Sequence, residues 1–166
     1  MATTKTSPSR KPKRGPSPTM KEVQASWEDG YRPFVEDCRE SFRFLVHDLG
    51  FAPAEVKVTP PECAVSFARD HQIVQIQSDH CGPPWVVVQQ GDPAKGYGLH
   101  EFIKQLLPEY EGREPAAPSI PDPTQRRALL DHHAAFLREH ADRILGADPA
   151  LLARLDARRA QVLEQA

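Results

Sequence analysis

The chain has 166 residues, 39% hydrophobic and 27% charged, a ratio that suits one globular domain with a modest core. Its longest apolar runs, such as Trp85-Val86-Val87-Val88 and Ala134-Ala135-Phe136-Leu137, fall far short of the roughly 18 residues a membrane span needs. No hydrophobic stretch follows the basic N-terminus, so no secretory signal is expected either. Three cysteines, Cys38, Cys63 and Cys81, stand in no C-x-x-C spacing, which argues against a disulfide framework and points to a reducing, cytoplasmic setting.

Residues 1–20 form a basic tail rich in proline and serine. It carries Lys5, Arg10, Lys11, Lys13 and Arg14 and no acidic residue, and it lacks the apolar groups that offset ordering entropy, so disorder is expected there. The whole chain is formally −2, so the rest of it is acidic, with 16 basic against 23 acidic groups. From Pro33, the positions Phe34, Val35, Cys38, Phe42, Leu45, Val46 and Leu49 recur at spacings of three and four and predict an amphipathic helix that Gly50 ends. Trp27 and Tyr31 precede it and lead the chain in.

After Phe51 the period changes to two. Val56 and Val58, Val65 and Phe67, Val74 and Ile76, and Val86 and Val88 alternate with polar or small residues over four short runs. The breakers between them (Pro60-Pro61, Asp70-His71, and Asp79 through Pro84) leave no room for a crossover helix, so successive strands must pair antiparallel. A helix is predicted at about 97–107, and residues 111–123, with Pro115, Pro118, Pro121 and Pro123, read as a stiff linker. Asp122, Pro123 and Gln125 then have the arrangement of a capping box with proline at the first helical position. That helix runs to Gly146, and Asp148-Pro149 opens the last one. The predicted fold is α+β, with an N-terminal helix, a four-stranded antiparallel meander and a helix in residues 21–110. A C-terminal αα-hairpin in residues 124–166 packs on that core.

The seven histidines do not reproduce a zinc frame, because His132 and His133 are followed four residues on by Phe136 and Leu137. Cys63, His80 and Cys81 could meet at one end of a hairpin but lack an evident fourth ligand, and ordinary packing is the favoured reading of the cysteines. The segment from Gly91 to Gly98 reads as a tight turn, since it holds neither a Walker A motif nor G-x-G-x-x-G. No catalytic dyad, metal site or cofactor is expected.

The strand pattern is more informative. With the valine-rich positions turned to the helices, the opposite face shows Lys57, Ala64, Ser66, Ala68, Ile73, Gln75, Gln77, Trp85, Val87 and Gln89. The surface is mixed and nearly uncharged, with Trp85 as an aromatic anchor, Ile73 and Val87 beside it, and Gln75, Gln77 and Gln89 as polar contacts, the composition of a protein-binding face. It serves a partner if it is open and a second core layer if the αα-hairpin covers it; a homodimer is another way to bury it.

The stretch Phe42-Arg43-Phe44-Leu45-Val46-His47-Asp48-Leu49-Gly50-Phe51, followed by a short-stranded meander, resembles a type of small bacterial protein, and Leu137 through Asp148 is similar to the closing helices of such chains. Such proteins resemble immunity proteins of toxin systems or accessory domains. The resemblance spans about residues 33–160, implies no catalysis and assigns no residue a function. Because the chain shows two patterned surfaces and no reaction centre, the expected function is a non-enzymatic protein-interaction module, immunity-like or inhibitory. The alternative is nucleic-acid association through Lys5, Arg10, Lys11, Lys13 and Arg14, whose charges can neutralise about five phosphates.

Overall fold

A computed structural model describes residues 18–79, 82–90, 95–107, 122–146 and 148–164. The elements in chain order are α1 (Met20–Ser41), α2 (Arg43–His47), β1 (Glu55–Thr59), β2 (Glu62–Arg69), β3 (Gln72–Ser78), β4 (Trp85–Gln90), β5 (Lys95–Gly98), α3 (Leu99–Leu106), α4 (Pro123–Glu139), α5 (Ala141–Leu145) and α6 (Pro149–Glu164). Residues 1–17 of the basic tail, His80, Cys81 and most of the predicted linker lie outside the described residues, and residues 19–20, expected to be disordered, instead cap and open α1.

The sheet is a five-stranded antiparallel meander in the order β1-β2-β3-β4-β5. The fourfold alternation read from the sequence corresponds to β1–β4. The fifth strand, β5, lies where a turn and the first residues of a helix were expected. Tyr97 pairs with Val88 there and helix α3 starts only at Leu99. Gly98 ends the strand by donating its N–H to the Glu101 carboxylate at 2.6 Å, which caps α3.

The N-terminal helix also differs from expectation, beginning at Met20 rather than Pro33. Thr19 and Glu22 form a capping box: the Glu22 amide donates to Thr19 Oγ1 at 3.3 Å and the Thr19 amide to Glu22 Oε2 at 2.7 Å. Pro33 sits inside the helix, where its missing N–H leaves the Asp29 carbonyl without its usual donor. Both residues are exposed, so water can serve that carbonyl, and the helix continues. The predicted cap of α4 is present, with the Gln125 amide on Asp122 Oδ1 at 2.8 Å and Pro123 in the first turn. The long helix expected through Gly146 breaks at His140 into α4 and α5.

All the helices contribute to one core on one face of the sheet. It holds Phe34, Cys38, Phe42 and Leu45 from α1, α2 and their junction, Phe102 and Ile103 from α3, and Leu130, Leu137, Ile144, Leu151 and Leu155 from α4–α6. They surround Val65, Phe67, Val74, Ile76, Val86 and Val88 of the sheet. Two glutamines on that same face fix the helical layer. Gln90 Nε2 donates to the Ile144 carbonyl and Gln72 Nε2 to the Leu145 carbonyl, satisfying groups at the end of α5 that have no helical partner. Ion pairs join the elements at the rim, including Arg126 to Asp37 at 2.9 Å between α4 and α1, and Arg159 to Glu101 at 2.6 Å between α6 and α3.

Phe67 lies at the centre of this layer, 1% exposed, with its ring 6.4 Å from that of Phe42. Phe67→Ala is expected to lower the urea-unfolding free energy by about 3–5 kcal/mol, whereas Ala68→Ser, one residue along on the opposite face, is expected to stay within about 0.5 kcal/mol of the parent.

Candidate interaction face

Strand register places the opposite face of the sheet in rows. Lys57, Ala64, Gln77 and Trp85 form one row, and Glu55, Ser66, Gln75, Val87 and Gly98 the next. Ala68, Ile73, Gln89 and Gly96 form the third. Ile73, Trp85 and Val87 are absent from both the core cluster and the half-buried apolar residues packed against it. Trp85 is 37% exposed, a large apolar side chain without a place in the core. The C-terminal helices, which might have covered this face, lie on the other one, where Gln72 and Gln90 meet the end of α5.

Sequence reasoning brought the six predicted contacts Ile73, Gln75, Gln77, Trp85, Val87 and Gln89 to one face, and the register puts them on two adjacent strands. Gln75 Nε2 donates to Ser66 Oγ at 3.1 Å, and Gln77 Nε2 donates to Gln75 Oε1, so the amides form a ladder across β2 and β3. Held in this way, they present preset donors and acceptors to whatever lies on the sheet. Glycine contributes a feature the sequence reading missed. Gly96 and Gly98 put no side chain on the outer row of β5, and a Cβ at Gly96 would come within 3.1 Å of Val87 Cγ1. The recess beside Val87 therefore depends on glycine.

On strands β2–β5 this face carries one charged residue, Glu62; the basic side chains Arg69 and Lys95 belong to the helix-facing rows. Arg69 turns to the Leu49 carbonyl and stacks over the Phe51 ring at 4.7 Å. The charges Glu55 and Lys57 lie on the edge strand β1.

Of the Cys63, His80 and Cys81 grouping, only Cys63 lies among the described residues. Among the described residues, no group of three or more histidine, cysteine or acidic side chains could hold a metal ion. Cys63 is buried and its thiol is pushed up to about 11 by loss of solvent, and burial raises Cys38 as well, so neither is a ready thiolate at neutral pH. The tail residues Lys5, Arg10, Lys11, Lys13 and Arg14 fall outside the described residues. Comparisons with protein-family models, with curated proteins and with solved structures gave no match.

Of the histidines on the α4 stripe, His133 has a titration consequence. Its Nδ1 is buried without a hydrogen-bond partner among the described residues, and burial, with smaller contributions from His132 and His100, pushes its pKa from 6.5 down to about 4. The unfolded chain takes up this proton first, so the stability tied to the neutral ring is complete above pH 6.5 and is lost as pH falls towards 4. Urea titrations at the two ends of that range should show His133→Leu losing less stability on acidification than the parent, by on the order of 3 kcal/mol.

Proposed function

We propose that the protein is a non-enzymatic interaction module whose open sheet face binds a partner protein, in the manner of an immunity or inhibitory protein. The observation that carries this reading is the exposed Trp85 standing with Ile73 and Val87 on a sheet face that, among the described residues, no part of the core covers. Interface centres are depleted in charge and rich in aromatic residues, and this face has that composition in a chain that is otherwise 27% charged. The Trp85 ring supplies apolar area and an N–H at a small cost in side-chain freedom, and the ladder of Ser66, Gln75 and Gln77 supplies hydrogen bonds around it.

The same composition disfavours the nucleic-acid alternative for this face. Phosphate binding needs lysine or arginine, and the outward rows of β2–β5 hold neither. That alternative rests on the basic tail alone.

The test compares the parent with Trp85→Ala in affinity capture from the native host and then in titration with the captured partner. The substitution should weaken association by about 2 kcal/mol or more and leave the melting temperature almost unchanged. A large drop in melting temperature with partner affinity intact would show that Trp85 is a packing residue and end the proposal.

A further inference from the structure

We propose that a second copy of this chain docks on the outer edge of β1, joining two sheets into one ten-stranded sheet, independently of any partner on the open face. The inference starts from the backbone. The two-residue connection Pro60-Pro61 makes Thr59 and Glu62 the closing hydrogen-bonded pair of the β1–β2 hairpin. By the antiparallel alternation, Lys57 and Glu55 also bond to β2, and the N–H and C=O groups of Val56 and Val58 point away from the sheet. In agreement, the Val58 carbonyl accepts from Gln24 Nε2 of α1 at 3.2 Å rather than from a strand.

Helix α1 packs beside β1, and between the two lies a groove of about 400 Å³ whose lining includes Val35, Val56, Val58, Glu28, Arg32 and Arg39. An unpaired edge beside an open groove is a template for strand addition.

Charge then selects the occupant and the register. Glu55 and Lys57 are exposed, lie on the same face two residues apart, and take no ion-pair partner among the described residues. In an antiparallel pair centred on Val56, the two copies of Val56 exchange N–H and C=O bonds, and each Glu55 lies directly opposite the other copy's Lys57. Centring on Glu55 or Lys57 would oppose like charges and would also aim the wrong backbone groups at the partner. The outward backbone groups of Val56 and the charges thus agree on one self-complementary register, the requirement of a two-fold contact, and in it Gln24 gives up the Val58 carbonyl to the second copy. The two-fold axis runs perpendicular to the sheet, so both open faces, each with its Trp85, lie on the same side of the dimer.

The experiment is sedimentation of the full chain over a range of concentrations. The parent is expected to dimerise reversibly in the micromolar range. Glu55→Lys and Lys57→Glu, which each place two like-charge pairs at the junction, are expected to raise the dimer Kd about tenfold or more while keeping the parental melting temperature. An equimolar mixture of the two variants should recover parental affinity, because each then meets its opposite charge. A parent that stays monomeric at about 1 mM, single variants that dimerise as tightly as the parent, or a mixture no tighter than its components would overturn the proposal.

Discussion

The constraint on which this structure depends is the two-residue alternation of side chains along β2, β3 and β4. It sends Val65, Phe67, Val74, Ile76, Val86 and Val88 to one side of the sheet, and every one of them is at most 2% exposed. A single apolar face can hold a single helical layer, so the helices compete for the same ground and pack against each other as well as against the sheet. The contact of α4 with α1 and of α6 with α3, fastened by Arg126 to Asp37 and Arg159 to Glu101, follows from that crowding. These part-buried ion pairs fasten helix to helix, and burial of the apolar face carries the fold.

The same constraint leaves the other side of the sheet without a helix among the described residues. A sheet that packs on one face normally clothes the second in charge, and here charge is confined to Glu55, Lys57 and Glu62 at the β1 end. Small residues on β2, amides on β3 and β4 and glycines on β5 keep the surface low, with Trp85 rising from it at the end of one row. The division of labour is spatial: α1–α6 stabilise the sheet from behind, and no described helix packs on its front.

The alternation was legible because β-branched residues fall at every second position, and the cap at Asp122, Pro123 and Gln125 was legible because its spacing is local. Helix α1 was cut short at Pro33 because proline is more often a first-turn residue than an interior one, although Val23, Trp27, Tyr31 and Val35 already carried the four-residue period. Strand β5 offered one apolar residue, Tyr97, between two glycines, and pairing with β4 rather than propensity makes it a strand. The location of α4–α6 was not written in any local pattern, since an amphipathic helix shows that it has an apolar stripe and not which surface receives it. Gln72 and Gln90 decide that question through the α5 carbonyls, yet in the sequence they look no different from Gln75, Gln77 and Gln89.

Those five glutamines provide the most direct test of a one-sided sheet. With a soluble paramagnetic agent added to the protein, the side-chain amide signals of Gln75, Gln77 and Gln89 and the indole N–H of Trp85 should broaden strongly, while those of Gln90, 4% exposed, and Gln72 stay sharp. Equal protection of all five glutamine amides, with the Trp85 indole protected alongside them, would mean that both faces of the sheet are covered and would contradict the account.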